Sequence, residues 1–186
     1  KYAKPVMVKV FNVDQFDRDT LPDTKLIGQR ERRDPGAAVA NVQPLMNRLE
    51  LAGGYHYGGP RAYYMPGPDL IACPTTFDSD HAWAATLLHE GVHATGHPKR
   101  LDRPSLKNRS KETYAFEELV AELGAAFLCA HYDITGDCQH PQYIGNWIKT
   151  LENDHRMIWR AASEAQHAVQ WWLTQYETQT LPEAAE

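Results

Sequence analysis

His89, Glu90 and His93 lie at the centre of the stretch HAWAATLLHEGVHATGH, residues 81–97. On a helix, positions four apart stand above one another, so the two histidines can grip one metal ion from a single face. Glu90 comes about 100° round from His89, near enough to reach a water on that metal without becoming a ligand. A catalytic zinc takes three protein ligands and a water, whose pKa falls to about 7. A carboxylate beside such a water works first as general base and then as general acid toward a leaving amine.

The helix that must carry this group is well framed. Ser79 and Asp80 offer an N-cap, and Gly96 followed by Pro98 gives a stop. Ala82, Ala85 and Thr86, stacked beneath the histidines, are small, so a second element can pack close and supply the third ligand. That element is a long helix from about Lys111 to Tyr132, capped by Ser110. On its wheel Phe116, Val120, Leu123, Phe127 and Ala130 form an apolar stripe, the expected core face. Glu118, Glu122, Ala125 and Cys129 share another face. Two carboxylates there are costly to bury unless their charges are matched, and a metal and a histidine would match them.

Three residues compete as third ligand. Glu118 suits a site of two histidines and one glutamate. Glu122, one turn on, is then the acceptor of a ring N–H from one of the histidines, fixing its tautomer, and is also the alternative ligand. His97 follows the helix stop and is closer than the spacing at which a third histidine returns after a turn. Glu117 points about 100° away from Glu118 and is the poorer choice.

The remaining chain reads as scaffold. Residues 6–13 alternate as a strand, and residues 14–36, broken by Pro22, Gly28, Pro35 and Gly36, form a charged loop whose RERR run is a solvated segment. Residues 37–50 space Val39, Val42, Leu45, Met46 and Leu49 helically, with Pro44 at a start or kink. Residues 61–65 and 70–73, joined by Pro66-Gly67-Pro68-Asp69, predict a hairpin or small meander whose edge could take an extended peptide. Lys99 to Arg109 is basic and irregular. Residues 141–176 predict two further helices, the last with Met157, Ile158, Ala161, Ala165, Ala168, Val169, Trp172 and Leu173 as core. Trp147, Trp159, Trp171 and Trp172 read as packing, because no basic surround accompanies them.

The totals bound the class. The 186 residues suffice for one sizeable core, so a single domain over 1–186 is expected. No apolar run is long enough for a bilayer, and the N-terminus lacks the apolar segment of a signal peptide. Cys73, Cys129 and Cys138 are odd in number and form no C-x-x-C pair, which points to a reducing cytoplasm. A net charge of -5 opposes strong phosphate binding, so any nucleic-acid contact is expected mainly outside this chain. The chain does not begin with methionine and reads as a piece of something longer.

VFNVDQ at 10–15, RAYYMPGPDLIACP at 61–74, ATLLHEGVHATGHPKRLDR at 85–103, YAFEELVAELGAAFL at 114–128, and the stretch from Tyr143 to Gln166 carry a resemblance. Together they resemble the zincin-like metallopeptidase domain at the C-terminal end of ArdC-type antirestriction proteins and of related plasmid and phage proteins, including TraC-type primases. The resemblance implies an α+β fold with a twisted sheet beside the active-site helix, and a zinc-dependent peptidase acting on a protein or peptide. It also implies a preceding single-stranded-DNA-binding module that this chain does not carry. One residue departs from expectation. Gly91 stands where a bulky residue such as leucine belongs, and glycine inside a helix costs about 1 kcal/mol relative to alanine. The attack on a scissile carbonyl needs a further donor for the oxyanion, and Tyr63, Arg109, Tyr114 and His155 are the choices. Manganese or iron would also suit two histidines and a carboxylate. A rival reading is a metal-stabilised module that protects incoming DNA or blocks a host nuclease without cleaving anything; a metal-dependent nuclease is weaker, since clustered carboxylates and magnesium suit that chemistry better.

Overall fold

The computed structural model describes residues 40, 42–108, 110–134, 154 and 156–180. The expected strand at 6–13, the charged loop with its RERR run, the first C-terminal helix with Trp147, and Cys138, Arg109 and His155 lie outside the described residues. All those described belong to one unit, residues 32–186. Its order is α1 (Val42–Asn47), β1 (Gly54–Tyr57), β2 (Tyr63–Met65), β3 (Leu70–Cys73), α2 (Asp80–Thr95), α3 (Pro104–Lys107), α4 (Lys111–His131) and α5 (Met157–Thr180). This is an α+β arrangement, a small mixed sheet against several helices.

The hairpin forms where the Pro-Gly-Pro-Asp turn placed it. β2 runs antiparallel to β3, with Tyr64 opposite Ile71. Asp69 closes the turn at φ 53°, a left-handed conformation that aspartate tolerates better than most residues. β1 lies on the other side of β3 and parallel to it, giving the order β1-β3-β2, so the region is more than a meander. β3 is buried along its whole length, as the central strand must be.

α2 begins at the predicted cap, where the Ser79 side chain accepts a hydrogen bond from the Ala82 amide at 3.1 Å. Ser110 does the same for α4 through the Thr113 amide at 3.2 Å. Such caps contribute about 1 kcal/mol each. At the end of α2, Gly96 keeps a right-handed φ of -76°. Its lack of a side chain serves packing, because a Cβ there would come 2.8 Å from the Arg103 guanidinium.

The bare backbone at Gly91 has a similar cause. A Cβ at this position would lie 2.2 Å from the Trp172 ring. Trp172 is wholly buried, and its indole N–H donates to the Leu45 carbonyl at 2.9 Å. A bulky residue at 91 and a tryptophan at 172 exclude one another. Burying the larger side chain, worth about 1.5–3 kcal/mol, outweighs the propensity cost of the glycine.

Two expectations need correction. The stripe of Phe116, Val120, Leu123, Phe127 and Ala130 is not the core face of α4, since Phe127 is 40% exposed and Ala130 is exposed, while Phe116 and Leu123 are only partly buried. The buried set is Glu117, Glu118, Leu119, Val120, Ala121, Gly124, Ala125, Leu128 and Cys129. The face carrying carboxylates turns inward because its charges find partners, and Gly124 lets Val92 of α2 approach closely there. On α5, Met157, Ala161, Ala165, Ala168 and Trp172 are core, but Ile158 and Trp159 face outward, Trp159 with 76% of its surface exposed.

Candidate metal centre

α2 and α4 cross so that His89, His93 and Glu118 converge. One ligand atom from each lies within 4.8 Å of the others, and all three residues are buried. His89 Nε2 stands 3.5 Å from Glu118 Oε2, and His93 Nε2 stands 3.6 Å from Glu118 Oε1. Ligands placed tetrahedrally around a zinc at ordinary bond lengths are roughly 3.4 Å apart. The donor set therefore fits a divalent ion in both chemistry and spacing. The two imidazoles meet edge to face, with centroids 4.9 Å apart.

Behind the rings lie two more carboxylates. His89 Nδ1 is 3.0 Å from Glu122 Oε2, and His93 Nδ1 is 3.2 Å from Glu117 Oε1. A carboxylate only accepts, so Nδ1 presents a proton to it in both rings, which would leave Nε2 to face a bound ion. Glu117 is thus the residue that wheel arithmetic undervalued. Its side chain also receives Arg103 Nη2 at 2.6 Å, Arg103 Nε at 3.1 Å and the Ser105 hydroxyl at 2.5 Å. The segment from Lys99 onward is accordingly no loose basic loop. Arg103 is 2% exposed, Pro104–Lys107 form a short helix, and Arg100 is buried in an ion pair with Asp69.

The electrostatics follow from these contacts. Burial alone would lower the His89 pKa, but hydrogen bonds to Glu118 and Glu122 and the charge of Glu90 raise it to about 10. Burial would raise Glu117, yet the bonds from His93 and Arg103 bring it down to about 2. Glu118 is also lowered against its burial, by His89, by the charge of His93 and by a hydrogen bond from Tyr114.

Glu90 is buried at the floor of a cleft of about 520 Å³ that both histidines and Glu118 line. Tyr63 and Tyr64 of β2, Pro66 after it, and Lys111 and Tyr114 at the start of α4 also line it. Tyr63 and Tyr114 are both half-exposed. Among the described residues β2 pairs only with β3. Cys73 lies near Glu90, and burial together with that charge pushes its thiol up to about 11; it is not part of the cluster. His97 sits past the helix end, where its Nδ1 accepts from the Lys99 amide at 3.2 Å, and it is not part of the cluster.

Comparison with known proteins agrees with this geometry. Residues 46–164 match the family described as zincin-like metallopeptidase. The chain is 33% identical to the Sinorhizobium fredii protein y4eC, over 87% of its own length and 52% of that protein. It is 41% identical to the Escherichia coli DNA primase TraC, over 95% of its length but only 17% of the primase. The chain thus spans about half of one relative and less than a fifth of the other. Among solved structures it is similar to the antirestriction protein ArdC of plasmid R388. The Mn(II)-bound form matches at 37% identity and TM-score 0.63, over 74% of this chain and 52% of that one. The metal-free form matches at 38% identity and TM-score 0.66, over 90% and 60%. No helix among the described residues is long and apolar enough to cross a membrane.

Proposed function

Because the chain belongs to the zincin-like metallopeptidase family, we propose that it is the zinc-dependent peptidase domain of an antirestriction-type protein of a mobile element. The observation that carries this reading is the convergence of His89, His93 and Glu118 with Glu90 in one cleft lined also by β2, which among the described residues pairs only with β3. His89, His93 and Glu118 would hold the ion. When bound, a zinc ion supplies Lewis acidity toward a carbonyl and a water.

The chain's own residues do the rest. A substrate strand lies along β2, pairing its backbone with the edge away from β3, which sets its scissile bond across the cleft. Glu90 takes the proton of the attacking water on a carboxylate oxygen and returns it to the leaving nitrogen. Tyr63 and Tyr114, which both line the cleft, would hold the developing oxyanion. Glu122 and Glu117 keep the two imidazoles in the required tautomer. The substrate is a protein or peptide, and single-stranded DNA enters through a separate module, in keeping with an ArdC protein and a primase among the relatives. A cytoplasmic setting goes with that reading.

The test is proteolysis of bacterial DNA-binding proteins by the zinc-loaded chain and by its Glu90→Gln variant, with and without single-stranded DNA. Cleavage by the wild type, reduced about 10²–10⁴-fold in the variant, is expected. Equal cleavage by both would remove Glu90 as the base. No cleavage by either, with metal bound, would favour a non-catalytic module that protects incoming DNA or blocks a host restriction enzyme.

A further inference from the structure

Arg103 takes no part in that chemistry, yet it is among the most buried charged residues described. Its Nη1 donates to the Thr95 hydroxyl at 2.8 Å and its Nη2 to the Val92 carbonyl at 2.7 Å, both in the last turn of α2. Its Nε and Nη2 hold both oxygens of Glu117 on α4, and its backbone N–H donates to the Gly96 carbonyl at 3.0 Å. One guanidinium therefore touches the helix that carries His93, beside that residue, and the helix that carries Glu118, beside that residue too.

We propose that Arg103 is a positioning residue for the metal centre, acting through Glu117 on His93. The proposal rests on the metal-site reading above and needs no hydrolysis. Glu117 receives four donors: His93 and Arg103 on Oε1, Arg103 and Ser105 on Oε2. A carboxylate has about four lone-pair sites, so this one is saturated and cannot rotate. Its Oε1 is fixed where the His93 Nδ1–H points, which aims His93 Nε2 into the cleft. Buried ion pairs often stabilise a fold no more than apolar groups of the same volume. What this one supplies is direction, and lysine cannot substitute because its single ammonium lacks the planar fork.

Arg100 provides the comparison. It too is buried and ion-paired, to Asp69, and it donates to the Ala94 carbonyl at 2.7 Å and the Leu49 carbonyl at 2.9 Å. It contacts neither a proposed ligand nor a carboxylate behind one.

The experiment is a zinc-affinity titration against a chromophoric chelator, with the visible spectrum of the Co(II)-loaded protein and the melting temperature of the metal-free protein recorded in parallel. Arg103→Lys and Glu117→Gln should each weaken zinc binding about 10–100-fold and alter the cobalt spectrum. The double variant should bind no more weakly than the worse single one, because the two act as a unit. Arg100→Lys should melt earlier while keeping wild-type affinity and spectrum. Should Arg103→Lys fail to fold, Ser105→Ala decides, since it removes one of the four donors and leaves the ion pair; roughly 2–10-fold weaker binding is expected. Wild-type affinity in folded Arg103→Lys or in Ser105→Ala, or an equal loss of affinity in Arg100→Lys, overturns the proposal. Absence of peptide cleavage would count against the peptidase alone, because affinity and spectrum remain readable.

Discussion

His89 and His93 face the same point but are held from behind in different ways. The carboxylate behind His93 is Glu117, 4% exposed and clamped by Arg103 and Ser105. Behind His89 is Glu122, whose side chain is 18% exposed. One ring is anchored through a saturated network to two helices, and the other meets a more exposed carboxylate. The difference separates two jobs that a buried carboxylate can do: Glu117 is tied to the fold and the site together, whereas Glu122 serves the site.

The largest effect should come from breaking the anchored side. Glu117→Ala strands a buried guanidinium, which typically costs about 3–5 kcal/mol, and should appear as a large fall in the melting temperature of the metal-free protein. A near-normal melt would mean that the Arg103 network relaxes freely and the contrast is false. On the other side, Glu122→Ala should weaken metal affinity about 10–100-fold and lower that melting temperature by less than Glu117→Ala does. Gly91→Ala bears on both rings, because it drives a methyl into the Trp172 ring from the helix segment between them. A loss of about 1–3 kcal/mol is expected despite alanine's better helix propensity, measured by denaturant unfolding.

Acidity gives a subtler contrast. Glu117 is depressed from 4.5 to about 2, so its stabilisation is complete above 4.5 and is lost as pH falls through about 2. His89 is raised from 6.5 to about 10, so in the metal-free chain its contribution is complete below 6.5 and disappears as pH rises through about 10. A metal ion must displace that His89 proton. Apparent metal affinity should therefore keep rising between pH 6.5 and 10, with proton release visible by calorimetry in two buffers. An affinity that is flat above pH 7 would contradict the raised value.

Much of this was legible in the sequence because it rests on local rules. Ser79 and Ser110 announced both helix starts, the i, i+4 histidines set their own face, and Pro-Gly-Pro-Asp marked the hairpin. Glu118 and Glu122 were readable because they lie one turn apart, on the face where His89 now meets them. Glu117 was passed over because a wheel assumes one neighbour for each face. Here two rings a turn apart each need an acceptor, and those acceptors flank Glu118 on opposite sides. Two ring N–H donors beside one candidate ligand, Glu118, was the available signal. Arg103 and the Gly91–Trp172 contact rest on residues distant along the chain, and no periodicity encodes them. The misjudged stripe on α4 has the same origin, since the wheel ranks faces by apolarity and cannot see that Arg103 and the histidines make a carboxylate face the better one to bury.

The central claim is that His89, His93 and Glu118 hold one divalent ion while Glu90 beside them does not. It is tested most directly by metal stoichiometry, measured by elemental analysis after dialysis, for the wild type, Glu90→Gln and Glu118→Ala. One ion per chain in the first two, and its loss from a folded Glu118→Ala, is the predicted result. An ion retained at full occupancy in Glu118→Ala, or lost in Glu90→Gln, would contradict the assignment.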